Sequence, residues 1–214
     1  MRIKYFYDPL CGWCYGASPA IEKAEALGFK VEAYSTGLFA EQNGQVMSPN
    51  WSEYAWTNDQ RIQKITGQVF SAAYRRNVLS NFGIRFDSWM PTLAVTIHES
   101  RFKGESLKIL RAIQKARYVD GLDNTNPAVL SGIAKNFGWS SNVFLEMLNS
   151  SDLQEQTRRE IARNLTAYAS YHAKGIPLIV IEEEGEERIL NSSSVFKKDP
   201  NPMDWLKNQT VHHS

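Results

Sequence analysis

The chain is poor in the residues that build metal centres and disulfide frameworks: among its 214 residues are two cysteines and four histidines. A structural zinc site wants four ligands, and Cys11, Cys14, His98, His172, His212 and His213 offer no second pair at a useful spacing, so no metal is expected. Long apolar runs are missing too. None approaches the ~20 residues that cross a bilayer, and no membrane role is expected. An excess of one charge is likewise missing: 24 Lys and Arg against 23 Asp and Glu leave +1, with no electrostatic reason to bind nucleic acid. There are no internal repeats and no low-complexity segments. With 43% hydrophobic and 22% charged residues, the composition is that of an ordinary globular protein long enough to bury a core.

What is present is a dithiol. Both cysteines lie in Cys11-Gly12-Trp13-Cys14, after the alternating run Ile3 to Tyr7 and before a helix-like run. A helix that begins near Cys11 aims its free amide hydrogens and the positive end of its dipole at that side chain, which favours thiolate over thiol. Cys11 is therefore expected to attack. Cys14, one turn further in, is expected to resolve the mixed disulfide that results. Met1 to Tyr7 runs straight into a strand and leaves no room for a signal peptide, so the expected location is the cytoplasm. In a reducing compartment a cysteine pair is a poor structural staple, which strengthens the catalytic interpretation.

Taken in order, the pattern predicts a strand at Ile3–Tyr7, a turn at Asp8-Pro9, a helix to Leu27 stopped by Gly28, and a strand at Val31–Thr36. Residues 40–50 are expected to be loop. Helical spacing follows near Asp59–Ile65, Gln68–Val78, Pro91–Ser100, Leu107–Tyr118, from Asn126, from Ser140 or Ser141, and from Ser151 to about Ala173. Sheet signals return at Gly175-Ile176-Pro177, with the apolar run Leu178–Ile181, a turn at Gly185, a short strand at Arg188–Leu190 and a terminal helix at Pro202–Asn208. The two ends can form one sheet, interrupted by residues 38–174 as a helical insertion.

Asp8-Pro9-Leu10-Cys11-Gly12-Trp13-Cys14-Tyr15-Gly16, with Gly175-Ile176-Pro177 after the insertion, resembles the DsbA-like thiol-disulfide oxidoreductases, and among them the FrnE-type branch of expected disulfide isomerases. The resemblance implies an α/β, thioredoxin-like fold with a large all-helical insertion, built from 1–37 and 175–214 around 38–174. It also implies a cis Pro177 facing the dithiol and an Ile176 backbone that aligns substrate. Gly12 and Trp13, beside the reactive sulfur, are the further expected substrate contacts. The chain departs from the strongly oxidising members, which carry proline and histidine where Gly12 and Trp13 stand. It also lacks, at Tyr5, the acidic residue that some members keep in the first strand.

Asp8 is the nearest carboxylate and a candidate proton relay for Cys14, although Asp-Pro before a helix also serves plain turn chemistry. Trp13, Tyr15, Trp51, Tyr54, Trp56 and Trp89 could line a groove, with core packing the simpler role for Trp51, Tyr54, Trp56 and Trp89. The expected function is disulfide exchange with protein or small-molecule thiols and disulfides, with no bound cofactor and with glutathione or another dithiol as electron source. The direction of electron flow and the oligomeric state stay open. Two alternatives remain: a glutathione-dependent transferase or isomerase, which usually replaces the second cysteine, and a non-enzymatic redox-sensing or holdase module.

Overall fold

The structure is a computed structural model, and it describes residues 1–207. The chain runs β1 (Arg2–Tyr7), α1 (Gly12–Ala26), β2 (Lys30–Ser35), β3 (Gln45–Val46), α2 (Pro49–Thr66) and α3 (Ala72–Tyr74). It continues through β4 (Arg85–Phe86), α4 (Trp89–Arg101), α5 (Ser106–Tyr118), α6 (Pro127–Lys135), α7 (Ser141–Leu148) and α8 (Ser151–Ala169). It closes with β5 (Leu178–Glu183), β6 (Glu186–Ile189), α9 (Ser192–Val195) and α10 (Asp204–Lys207). Asn208, His212 and His213 lie outside the described residues.

Alternation along β1 explains its central place. Ile3, Tyr5 and Tyr7 point to one face and Phe6 to the other, and none of the four is more than 2% exposed. Such a strand needs neighbours on both edges, and the sheet order is β2-β1-β5-β6. β2 is parallel to β1, with Arg2 opposite Lys30 and Tyr7 opposite Ser35. β5 is antiparallel, with Ile3 opposite Ile181 and Phe6 opposite Leu178. On the Tyr5 face one continuous cluster of buried side chains joins α1 (Ala17, Ala20, Ile21) to α4 (Leu93, Ile97), α5 (Ile109, Ile113) and α7 (Phe144, Leu148). On the Phe6 face Leu178 and Val180 pack with Tyr34, Tyr168 and Tyr171. The helices of the insertion and the sheet thus share a core.

The insertion also holds a short ribbon where loop was expected: β3 pairs with β4, Gln45 opposite Phe86 and Val46 opposite Arg85. Two residues are too few for alternation to be seen in sequence. Gly44 permits the approach, because a Cβ there would lie 3.0 Å from the Phe86 carbonyl oxygen. α2 begins ten residues before Asp59, with Pro49 at its start and the Ser48 hydroxyl accepting from the Trp51 amide at 3.2 Å. The helix expected from Gln68 starts at Ala72 and runs into a π turn at Arg75–Leu79. α8 stops at Ala169, short of Ala173.

Two features of α1 set the position of its N-terminus. Pro19 lies inside the helix and leaves the Tyr15 carbonyl without its usual donor. The Ser18 hydroxyl (2.8 Å) and Gln68 Nε2 (3.1 Å) donate to that carbonyl instead, the latter from the insertion. Gly12 and Gly16, one turn apart, form a bare strip onto which α2 presses. A Cβ on Gly12 would meet Asp59 Oδ1 at 2.5 Å, and one on Gly16 would meet Ile62 Cγ2 at 2.6 Å.

Gly16→Ala should therefore cost stability despite the better helix propensity of alanine, because an overpacking penalty of about 1–3 kcal/mol exceeds a propensity gain of about 1 kcal/mol. In an Ile62→Ala background the added methyl has room. The cycle of urea unfolding free energies should give a coupling of at least ~1 kcal/mol, and additive effects would contradict this packing.

Candidate active site

Cys11 is the residue that caps the start of α1 (φ −80°, ψ 114°), so the first-turn amides of the helix gather around it. The turn that delivers it is built by Asp8. The Cys11 amide donates to the Asp8 carbonyl at 3.1 Å and the Leu10 amide to Asp8 Oδ1 at 2.8 Å. Cys11 is 7% exposed and Cys14 fully buried, and both are free thiols. Burial and the adjoining Cys11 sulfur push the Cys14 thiol well above its ordinary range.

Facing the pair is the loop before β5. The Cys11 thiol donates to the Ile176 carbonyl at 3.8 Å, and the Ile176–Pro177 peptide bond is cis. Residues 165 positions apart in sequence thereby meet. Trp13 is half-buried beside them, its ring edge-on to Phe196 at 4.9 Å, with the Arg61 guanidinium 5.8 Å from its centroid.

Three tyrosines to which sequence reasoning gave no part in the site hold its backbone. Tyr5 Oη donates to the Cys14 carbonyl at 2.9 Å, and Tyr118 Oη, from α5, donates to the Leu10 carbonyl at 2.8 Å. Tyr168 Oη, from α8, lies 3.0 Å from the Gly175 carbonyl and fixes the loop that carries Ile176. Tyr118 acts across the fold, 108 residues from its partner, whereas Tyr5 and Tyr168 reach carbonyls nine and seven residues on, contacts that only the turn of the chain between them brings about.

Two buried carboxyls lie at the start of α1. Asp8 Oδ2 accepts from Ser88 Oγ at 2.6 Å and from the Phe39 amide at 3.1 Å, tying the turn to the insertion. Burial pushes its carboxyl up to about 6, against the pull of those hydrogen bonds. Asp59, beside Gly12, was not anticipated. Its Oδ2 accepts from Tyr74 Oη at 3.0 Å, and burial pushes it up to about 7 while Tyr74 and Arg117 pull it back. Arg117 is 2% exposed and lies between the rings of Tyr74 (5.4 Å) and Phe86 (5.2 Å).

The other aromatic candidates divide. Tyr15 is buried and stacked on Tyr118 at 4.7 Å, and Trp51 packs among Phe39 and Phe86. Tyr54, expected in the core, is 59% exposed and stacks on Trp51 from outside. Arg75 covers Trp56 and Arg158 covers Trp89. His98 is buried and its Nδ1 accepts from Trp139 Nε1 at 3.2 Å. Among the described residues no group of three or more His, Cys, Asp or Glu could hold a metal ion.

The model of the DSBA-like thioredoxin domain matches residues 2–198. The chain belongs to that family. DsbM from Pseudomonas aeruginosa, named a cytosolic disulfide reductase, superposes with a TM-score of 0.82 at 30% identity, covering 96% of this chain and 95% of that one. A structure of DsbM with glutathione gives 0.81 at 29% identity over 96% and 95%. A candidate protein disulfide isomerase from Nitrosomonas europaea gives 0.73 at 21% identity over 96% and 93%, a likeness of fold. A comparison with curated proteins finds no match.

The buried carboxyls impose a pH dependence of definite sign. Where the folded pKa is raised, the native state holds its proton longer, so that group's contribution to stability is full at low pH and falls as pH rises from about 4 towards the folded value. His98, which burial pushes down, acts oppositely below about pH 6.5. The Asp59 part is isolated by difference. Between pH 5 and pH 8, Asp59→Asn should gain about 2–3 kcal/mol on the wild type in urea unfolding. A difference that does not vary with pH would mean that Asp59 titrates as an ordinary carboxylate.

Proposed function

We propose that this protein is a thiol-disulfide oxidoreductase that reduces disulfides of protein or small-molecule substrates, with Cys11 as nucleophile and Cys14 as resolving thiol. The observation that carries this is the meeting of Cys11 Sγ with the Ile176 carbonyl while Cys14 stays sealed behind it. An incoming disulfide reaches the first sulfur and not the second.

Attack by the Cys11 thiolate breaks the substrate S–S bond, forms a mixed disulfide, and releases one substrate thiolate, which takes a proton. Cys14 then loses its proton and attacks the Cys11 sulfur. The second substrate thiol leaves, and the chain holds a Cys11–Cys14 disulfide. Two electrons have passed to the substrate, and glutathione or another dithiol protein returns them. Burial that keeps Cys14 protonated suits the waiting partner, which should react only once the mixed disulfide has formed.

Ile176 offers its backbone to an extended substrate segment, as in strand addition, and Pro177 has no N–H to compete for the thiolate. Gly12 keeps the approach to the sulfur low, and Trp13 forms its side wall. Asp8, whose carboxylate is occupied by three donors, serves the turn rather than a proton relay. The likeness to DsbM supports the reductive direction and a cytoplasmic setting, and the glutathione in its second structure supports a thiol of that size as electron donor. Among the described residues no helix is long and apolar enough to cross a membrane.

Cys14→Ser should accumulate a mixed disulfide on Cys11 when offered oxidised glutathione or an unfolded disulfide protein, visible as a mass adduct. Steady-state reduction of a model disulfide should fall at least ~100-fold in both Cys11→Ser and Cys14→Ser. Undiminished turnover in Cys14→Ser would instead indicate a one-cysteine glutathione transferase or isomerase. Wild-type protein without turnover would indicate a redox-sensing module.

A further inference from the structure

Arg61 stands on the rim of the dithiol without a counter-charge. It is exposed on α2, between Asp59 and Ile62, which turn inward on Gly12 and Gly16. Its guanidinium lies 5.8 Å from the centroid of the Trp13 ring, two residues along the chain from Cys11. Among the described residues that ring is its one partner by hydrogen bond, ion pair or ring contact.

The ordinary uses of an arginine on a helix do not account for it. Positions one turn away on either side hold Thr57, Asn58, Lys64 and Ile65, so no acid pairs with it along α2. The negative end of the helix dipole already has Lys64, in the last turn. Asp59, two residues before it, is buried and answers to Tyr74 and Arg117. Lys198 approaches the far end of the helix at Gly67 and adds charge of the same sign. What is left is a cation held over an aromatic ring at the edge of the site. A guanidinium over a ring uses its flat face and keeps its fork of N–H donors for a planar anion. The ring also restrains a side chain that would otherwise lose rotamer freedom on binding.

We propose that Arg61 determines specificity by binding a carboxylate carried within a few bonds of the disulfide in a small acidic substrate. This rests on the reading of Cys11 as nucleophile and names the substrate class that the nucleophile meets. An extended peptide is recognised through its backbone by Ile176, whatever side chains it carries. A small disulfide has little backbone to offer there and needs a second anchor. Arg61 supplies it from the opposite element, α2, through a charge-assisted and bidentate pair.

The test follows single turnover in Cys14→Ser protein, in which the Cys11 thiolate attacks a disulfide, forms one mixed disulfide and expels one coloured thiolate. The two probes are dithiobis(nitrobenzoate), which carries a carboxylate on each ring, and neutral dithiodipyridine. Adding Arg61→Gln should slow the acidic probe at least about fivefold and leave the neutral probe within about twofold, which also reports that the variant is folded. Arg61→Lys keeps the charge without the fork and should recover part of the loss. Raising the ionic strength from about 0.01 M to about 1 M should shrink the preference for the acidic probe when Arg61 is present. Lys64→Gln should leave the ratio of the two rates within about twofold. Equal slowing of both probes would mean that Arg61 acts on the thiolate, and equal losses in Arg61→Gln and Lys64→Gln would mean diffuse charge; either overturns the proposal. So would an unchanged ratio in Arg61→Gln, or a comparable loss with an unfolded disulfide protein, which would assign Arg61 to peptide substrates. No reaction of either probe before Arg61 is changed would overturn the dithiol reading itself.

Discussion

The packing of α1 against α2 is the constraint on which the site depends. A dithiol at a helix start is useful only if that start is fixed in space, and the first turn of α1 is fixed by α2 lying against the bare strip at Gly12 and Gly16. Larger residues on that strip would push the insertion away and take with it Asp59, Ile62 and the Gln68 amide that satisfies the carbonyl freed by Pro19. Gly12, the residue next to Cys11, is one of the two glycines that let the helices touch, so packing of the insertion reaches the residue adjoining the first thiol.

Around that contact the fold spends hydrogen bonds on backbone carbonyls rather than on the sulfurs. Tyr5, Tyr118 and Tyr168 each reach a carbonyl adjoining the site, from the sheet, from α5 and from α8. Asp8 ties its turn to Phe39 and Ser88 in the insertion. The insertion is thus part of the frame that sets the distance between Cys11 and Ile176, and on the Tyr5 face its helices and the sheet share one core.

What could be read from sequence was whatever acts locally. The dithiol, its place between strand and helix, the helices with clear apolar spacing, and the return of strand signals after Pro177 all leave marks within ten residues of themselves. The β3–β4 ribbon left none, being two residues long on each side, and the start of α2 was obscured because Trp51, Tyr54 and Trp56 break the apolar period although Ser48-Pro49 marks the cap. Asp59 and Arg117 were illegible for a stronger reason. Nothing near either residue says that an acid in one helix and a guanidinium in another will be buried within reach of one another's charge.

That buried pair bears on how the site tolerates charge. Two buried acids lie at the start of α1, Asp8 in the turn that delivers Cys11 and Asp59 against Gly12. The fold answers differently at the two positions. Asp8 is given three donors, so it can be charged without looking to the sulfurs for a proton. Asp59 has one hydroxyl and a guanidinium held among aromatic rings, and burial raises its carboxyl as it raises that of Asp8. Its carboxyl lies against Gly12, the residue next to Cys11, so the same contact that lets α2 approach α1 is the one that buries the acid.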